Sequence, residues 1–262
     1  MTGAVRPRMA LSRALIRAGG FLQSLAAPVM GRGDLAELNR RQYARPDIIG
    51  LFSSDDYVDS GLTSSEAAVL ERARLRPGTL LDLGAGGGRE AVALARMGFR
   101  VTCVDYSPVL LERTIAHAER HGLRIETMVR DLDAQDLGAG PFDAAWISSQ
   151  MYSSIPGGSG RVRLLKRVAA ALKPGGVFLC QFRWGGPRRT RIGEMARRAA
   201  ALLSGNFRYE PGDELLGGAE FAHSFSSEAA LRREFARGGF EVLDLIFDVA
   251  SRGGWAVLEK GR

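Results

Sequence analysis

Short apolar runs alternate with amphipathic stretches along the chain from about residue 63 onward. Each apolar run is bounded by glycine, proline or polar residues, which is typical of buried strands, and the stretches between the runs have helical spacing. This alternation predicts a doubly wound α/β fold with a mostly parallel sheet and helices on both faces. Strands are predicted over residues 79–83, 100–105, 124–129, 142–148, 177–182, 240–247 and 254–259.

Capping residues indicate where several helices begin. Thr63 and Glu66 have the spacing of a capping box, so a helix should open at this point. Ser107 is a suitable N-cap and Pro108 a suitable first helical residue, which predicts a helix from residue 108 to about 122. Ser226 is expected to cap the last helix of the chain.

Residues 1–62 are predicted to be a helical extension that also covers the ligand site of the domain at 63–262. A helix near the N-terminus would pack on the domain or on a partner; a membrane-surface helix over residues 9–27 and a disordered leader are the alternatives. The apolar residues share one helical face and three arginines lie largely outside it: Leu11, Leu15, Ala18, Leu22 and Leu25, against Arg6, Arg13 and Arg17.

Residues 185–224 interrupt the alternation, being rich in glycine and arginine with no clear strand. Long segments of this kind often close an active site, so we expect a substrate lid here. The stretch "EMARRAAALL" predicts a helix with alanines and leucines inward and arginines outward. The alternative is that the segment's arginines bind phosphates: Arg188, Arg189, Arg191, Arg197 and Arg198.

Charge and composition change this picture little. The 262 residues suit one large α/β domain with additions, and no apolar run is long enough to span a bilayer. A net charge of +7 suggests nucleic acid as a binding partner. The basic residues are spread out and almost all arginine, so we do not expect nucleic-acid binding to be the function. Cys103 and Cys180 lie on strands expected well apart, which favours free thiols and a reducing cytoplasm.

Two acids flank a glycine turn at the centre of the predicted sheet. Asp82 ends the first strand before the turn, and Asp105 ends the second strand about twenty residues later. An acid at the position of Asp105 can accept hydrogen bonds from ribose hydroxyls, whereas Asp82 would repel a pyrophosphate and suits a cationic group. Arg89 also stands where the dinucleotide motif requires glycine. The ligand indicated has a ribose and a cationic amino-acid portion, as S-adenosylmethionine does.

The motifs "LLDLGAGGGRE", "VTCVDYS", "VRDLDAQDL", "FDAAWISS" and "LKPGGVFLCQF" occur in order. With them the chain resembles the class I S-adenosylmethionine-dependent methyltransferases over about residues 63 to 260. The resemblance implies seven strands with the last one antiparallel between its neighbours. It also implies that Asp131 contacts the adenine amino group, with Leu132 beside the ring. The cofactor-binding residues expected in all are Asp82, Gly84, Ala85, Gly86, Gly88, Asp105, Tyr106, Ser107, Asp131, Leu132 and Ser148.

Catalysis is less determined by the sequence, because an in-line methyl transfer needs no base unless the acceptor arrives protonated. His223 and Tyr152 are the candidate catalytic residues; a structural hydrogen bond and pocket lining are their alternatives. No metal site is expected, since His117, His121 and His223 lack acidic or cysteine companions at ligand spacing. We expect a cytoplasmic methyltransferase for a small-molecule acceptor, with secondary metabolism as a setting. An RNA or protein methyltransferase and a non-catalytic scaffold are the alternatives.

Overall fold

The computed structural model describes residues 7–138, 140–186, 190–248 and 250–261. Its strands are β1 (Thr79–Leu83), β2 (Arg100–Asp105), β3 (Glu126–Val129), β4 (Phe142–Ile147), β5 (Leu172–Arg183), β6 (Asp213–Leu216), β7 (Glu220–His223), β8 (Phe240–Asp248) and β9 (Gly253–Lys260). A seven-stranded sheet with the strand order β3-β2-β1-β4-β5-β9-β8 forms the centre, and β6 and β7 form a separate hairpin.

The predicted fold class is confirmed, including the direction of the last strand. Strands β1 to β4 pair in parallel and β5 continues this arrangement beside β4. Strand β9 runs antiparallel to both neighbours, β5 and β8. Successive side chains of a strand face opposite sides of the sheet, so Leu80 packs in one core and Leu81 in the other.

The parallel register brings the acids of the glycine turn to one edge of the sheet. Asp82 pairs with Cys103 on one side and with Trp146 on the other. Asp105 therefore lies at the carboxyl end of β2, beside the end of β1. Ligands of open α/β sheets bind at this edge, where the strand order reverses between β1 and β4.

Helices cover both faces of the sheet and form the N-terminal region. They are α1 (Pro7–Ser24), α2 (Ala26–Val29), α3 (Arg32–Tyr43), α4 (Pro46–Phe52), α5 (Asp55–Asp59), α6 (Ser64–Arg72), α7 (Arg89–Arg96), α8 (Pro108–Arg120), α9 (Gly158–Ala171), α10 (Arg191–Leu203) and α11 (Glu228–Arg237), with a short 3₁₀ helix over Met151–Ser154.

Most of the predicted caps are confirmed. Glu66 N–H donates to Thr63 Oγ1 and Thr63 N–H donates to Glu66 Oε2, closing the capping box of α6. Ser107 caps α8 through the N–H of Leu110. The cap of α11 is one residue later than expected, because Ser227 rather than Ser226 accepts the N–H of Ala230.

The segment 185–224 contains a hairpin that the sequence did not reveal. The antiparallel strands β6 and β7 pair from Asp213–His223 to Leu216–Glu220. Gly217 and Gly218 turn the chain with φ of +57° and +76°. Each strand has four residues, which is too short to show a period of two against the charged residues within it.

The expected orientation of α10 is wrong for Arg197, Leu202 and Leu203, whereas Arg198 is exposed and Ala201 is buried as expected. Arg197 is buried, whereas Leu202 and Leu203 are exposed. The guanidinium of Arg197 donates to the carbonyl oxygens of Ser24 and Asp213 and to the hydroxyl of Tyr209, so it is the buried anchor of the helix. Arg188 and Arg189, which belonged to the same expectation, lie outside the described residues.

Helix α1 forms, but its apolar face does not pack on the domain as expected. Leu11, Leu15 and Leu22 are all exposed. Arg6 lies outside the described residues. No helix in the described ranges is long and apolar enough to cross a membrane. Both cysteines are free and buried, as predicted.

Candidate cofactor site at the glycine turn

The backbone of the turn after β1 is fixed against β2. The N–H groups of Gly84 and Ala85 both donate to the carbonyl oxygen of Val104, at 2.7 and 3.2 Å. Gly84 has a φ of +72°, a conformation that glycine adopts without steric cost. A Cβ at Gly84 would also overlap the side chain of Met151. Glycine is therefore required here both for the turn and for close approach.

Asp105 accepts two backbone hydrogen bonds while it remains buried. Its Oδ2 accepts the N–H of Gly86 at 3.0 Å and its Oδ1 accepts the N–H of Ser107 at 2.8 Å. Burial raises the pKa of Asp105, and these hydrogen bonds oppose the shift. Each carboxylate oxygen has two lone pairs, so each retains acceptor capacity for a ligand hydroxyl.

Asp82 is buried with an oxygen that the protein does not satisfy. Its Oδ2 has no hydrogen-bond partner among the residues that the structure describes. Burial raises the pKa of Asp82 well above its usual range, the negative charge of Glu90 adds to the increase, and Arg89 opposes it. An unpaired buried carboxylate is unfavourable by roughly 1–3 kcal/mol or more. A ligand ammonium would remove this penalty, so Asp82 fits the amino-acid portion of S-adenosylmethionine.

Glu90, to which the sequence analysis assigned no role, organises the start of α7. Its carboxylate accepts hydrogen bonds from the hydroxyl of Ser148 and from Arg89. Arg89 also donates twice to Glu66, each time at 2.8 Å. Ser148, an expected cofactor contact, is thus already paired with Glu90. A charged pair directly after the glycines was visible in the sequence, but its burial was not.

The expected adenine contacts line one cavity together with Gly84 and Asp105. Tyr106 is half-buried, and its hydroxyl donates to the carbonyl oxygen of Arg40 at 3.3 Å. Burial and the nearby carboxylate of Asp105 raise the pKa of Tyr106 to about 12. Asp131 is ion-paired with Arg40 at 3.2 Å, and Leu132 lies beside it in the lining. Arg40 therefore connects α3 to Tyr106 and to Asp131 in the lining of the cavity.

Three aromatic side chains of the N-terminal region line a second cavity next to the glycine turn. Tyr43, Phe52 and Tyr57 lie around it, and Phe52 contacts the other two rings at centroid distances of 6.0 and 5.2 Å. A Cβ at Gly87 would overlap the carbonyl oxygen of Phe52, so the cover rests directly on the turn. Both cavities share Tyr43, Gly84 and Met151 in their linings. They form one groove beneath α3, α4 and α5.

Residues 80–176 match the family described as methyltransferase domain. The chain is 37% identical over 105 residues to the ubiquinone biosynthesis O-methyltransferase of Caulobacter vibrioides, covering 38% of each chain. It is 36% identical over 106 residues to the ribosomal protein L11 methyltransferase of Thermus thermophilus, covering 40% of this chain and 39% of that one. The chain thus spans about two fifths of the curated relatives that it matches.

A solved structure shows the same fold over more of the chain. The 1,6-didemethyltoxoflavin-N1-methyltransferase of Burkholderia thailandensis, solved with S-adenosylhomocysteine, superimposes with a TM-score of 0.58 at 20% identity. The match covers 85% of this chain and 89% of that one. The chain contains a methyltransferase domain and has the fold of S-adenosylmethionine-dependent methyltransferases.

In this methyltransferase domain, the candidate catalytic residues do not lie in the groove at the glycine turn. Tyr152 is fully buried, and its hydroxyl donates to Glu234 at 2.6 Å. Its ring stacks on Phe225. His223 lines a different cavity, beside Arg161. The structure therefore does not bring either side chain together with the expected cofactor residues.

The expectation that His223 lacks acidic companions is wrong. Its Nδ1 lies 2.8 Å from Asp213 Oδ1 and 3.9 Å from Glu210 Oε2, and these three residues could supply ligand atoms to a metal ion. The hairpin of β6 and β7 brings them together, which the sequence did not predict. Arg161 donates to Glu210 at 2.9 Å, so a positive charge already neutralises this carboxylate. The arrangement is an ion-pair network.

The expected substrate lid contacts the N-terminal cover of the methyltransferase domain. Within 190–224 and 185–186, no residue lines the groove. Glu220 accepts the hydroxyl of Tyr43 at 2.7 Å. Asn39 of α3 pairs with the backbone of Phe221 through two hydrogen bonds, at 3.2 and 2.7 Å. In this conformation the described part of the segment packs against α3 outside the groove.

Proposed function

We propose that the protein transfers a methyl group from S-adenosylmethionine to a small-molecule acceptor. The observation that carries the proposal is the unpaired, buried carboxylate oxygen of Asp82 at the end of β1. Asp105 lies at the end of the neighbouring strand with acceptor capacity to spare. Together they suit a ligand with an ammonium at one end and a ribose further along. A non-catalytic scaffold has no need of an unsatisfied buried carboxyl group.

The groove supports a small acceptor. Tyr43, Phe52 and Tyr57 enclose the space beyond the glycine turn. Aromatic walls with few polar groups suit a compact organic molecule. The Caulobacter and Burkholderia relatives bear names that refer to small molecules, which agrees with this proposal. We place the enzyme in small-molecule metabolism, with secondary metabolism as one setting, and the Thermus relative makes a protein acceptor the rival outcome.

The residues of the groove act on the reaction by binding and alignment. The cofactor supplies a methyl group activated by the sulfonium charge. Asp82 would hold the ammonium and Asp105 the ribose, while Tyr106 and Leu132 flank the adenine. The aromatic cover excludes water and limits the positions open to the acceptor. Alignment of two reactants can supply roughly 7–11 kcal/mol of the barrier, so a base is not required when the acceptor arrives deprotonated.

Binding of S-adenosylhomocysteine, measured by titration calorimetry, tests the cofactor assignment. Hydrogen bonds to charged groups contribute roughly 1.5–3 kcal/mol, so Asp105→Ala and Asp82→Asn should each weaken binding at least about tenfold. Glu112→Gln, a change at an exposed carboxylate of α8, is the control and should bind like the wild type. Unchanged affinity in both site variants would overturn the assignment.

Transfer of a labelled methyl group then tests the acceptor. A panel of phenols, amines and thiols should contain compounds that accept the label from the wild type, and Asp82→Asn should lose this transfer. Ribosomal proteins and RNA are included as rival acceptors. Labelling of those macromolecules alone, with cofactor binding intact, would replace the small-molecule proposal.

A further inference from the structure

Helix α1 presents its apolar face to solvent. Leu11, Leu15 and Leu22 follow one face of the helix and are 62%, 64% and 66% exposed. Gly20, Phe21 and Ser24, near the C-terminal end of α1, line a cavity together with α10 and β6. All residues of α1 from Arg8 to Gln23 are exposed, so the helix contacts the protein mainly at this end and its leucines do not pack on the protein.

Helix α10 also exposes apolar side chains, and these lie on one face. Ile192 and Leu203 are 80% and 90% exposed, and Met195 and Leu202 are exposed on the same face. The buried face carries Arg197 and Ala201.

The two helices are neighbours in the fold. Arg197 of α10 donates to the carbonyl oxygen of Ser24 at the end of α1. Asn206, just after α10, donates to the carbonyl oxygens of Pro28 and Met30, both at 2.8 Å. We call the exposed side of these helices the α1–α10 surface; it comprises Leu11, Leu15, Leu22, Ile192, Met195, Leu202 and Leu203 together with the exposed arginines of the two helices.

The charge of the α1–α10 surface indicates which kind of partner it would bind. Exposed arginines accompany both helices: Arg8, Arg13 and Arg17 on α1, and Arg191 and Arg198 on α10. The chain has no acidic residue before Asp34. Glu194 of α10 is half-buried, accepts the hydroxyl of Tyr209 and lies 3.7 Å from the guanidinium of Arg198, whose charge it partly offsets. The α1–α10 surface is thus apolar and cationic.

We propose that the α1–α10 surface binds an anionic membrane. Proteins that stay monomeric in water seldom expose this many large apolar side chains together, so we expect a binding partner to bury the surface. A second copy of the chain would bring the same arginines face to face, and their repulsion disfavours it. Anionic lipids offer both an apolar layer for the leucines and negative headgroups for the arginines. The helices would lie in the interface, since neither can cross the bilayer.

Sedimentation with lipid vesicles tests the membrane proposal on the full chain. The protein should bind vesicles of phosphatidylcholine mixed with phosphatidylglycerol and bind weakly to phosphatidylcholine alone. Leu15→Gln and Leu203→Gln should each lower the partition coefficient about tenfold, because burial of a leucine is lost. Arg8→Gln and Arg191→Gln should each lower it about fivefold, by removing one exposed cation near the headgroups.

Leu243→Gln, which changes an exposed leucine of β8 on another part of the protein, is the control and should bind vesicles like the wild type. All these positions are exposed, so thermal unfolding and the affinity for S-adenosylhomocysteine should stay unchanged in every variant. Failure to bind the mixed vesicles, or equal binding to neutral vesicles, would overturn the proposal. So would a solution dimer by light scattering that Leu15→Gln and Leu203→Gln dissociate.

Discussion

At the scale of single residues, three buried carboxyl groups surround the glycine turn. Burial raises the pKa of Asp82, Glu90 and Asp105, and in Asp82 the charge of Glu90 adds to the effect. A carboxyl whose pKa is raised on folding binds more protons in the folded than in the unfolded state. The free energy of unfolding therefore falls as pH rises from the ordinary pKa of 3.8 toward the raised pKa of Asp82.

The same shift should make cofactor binding depend on pH. Below its raised pKa, Asp82 carries a proton and cannot pair with an ammonium group. Affinity for S-adenosylhomocysteine should therefore increase as pH rises through this pKa, while the ammonium keeps its own proton. Calorimetry across this range should show the increase in the wild type and in Glu112→Gln. It should be smaller in Asp82→Asn, and an identical increase there would exclude Asp82 as its source.

At the scale of elements, α3, α4 and α5 cover the groove, and none of the described residues of the segment 185–224 lines it. Arg40 pairs with Asp131, and Phe52 rests on Gly87. Bound cofactor should add contacts to this cover, so hydrogen exchange should slow in residues 40–61 when S-adenosylhomocysteine is added. Residues 190–203 should change much less, because the described part of α10 does not line the groove.

A substitution at Gly87 provides a second test of the N-terminal cover. Gly87→Ala should push the cover away from the turn, since a Cβ would overlap the carbonyl oxygen of Phe52. Exchange in residues 40–61 should then be faster than in the wild type and respond less to the ligand. If ligand slowed exchange in residues 190–203 and left 40–61 unaltered, the assignment of the cover would be wrong.

The sequence predicted the elements that depend on local patterns and missed those that depend on distant partners. β1 and β2 have the predicted bounds because each is a short, mainly apolar run with an acid at its end or one residue before it. β6 and β7 were missed because their charged residues are satisfied only in the fold, as Asp213 is by His223. In the site, the glycine turn was visible in the sequence. The roles of Arg40 and Glu90 were not, since their partners lie far along the chain or are buried.

Helix α10 shows how a correct pattern can be assigned to the wrong side. Its period predicts an amphipathic helix, and the helix is amphipathic. Burial of arginine is rare, so leucines were expected inside. Arg197 is buried because backbone carbonyl groups of two other segments satisfy its guanidinium. Only the folded chain supplies those acceptors.

At the scale of the whole molecule, the net charge of +7 raises the question of which polyanion the protein meets. Arg197 is withdrawn from the surface, and Arg40 and Arg161 are paired with carboxylates. The arginines that remain exposed on the α1–α10 surface share their two helices with exposed apolar side chains such as Leu15 and Leu203. This arrangement suits a lipid surface better than a nucleic acid.

The salt dependence of binding distinguishes a nucleic acid from an anionic membrane as the partner. Binding to nucleic acid is mainly electrostatic, and each arginine contact adds about 0.9 to the slope of log affinity against log salt on duplex DNA and about 0.7 on single strands. Binding to mixed RNA and DNA oligonucleotides should therefore be weak and vanish near physiological salt. Binding to anionic vesicles should fall with salt but persist, because the leucines contribute a part that salt does not screen. Leu15→Gln should weaken vesicle binding and leave oligonucleotide binding unchanged. Tight oligonucleotide binding that survives physiological salt would instead assign the exposed arginines to nucleic acid.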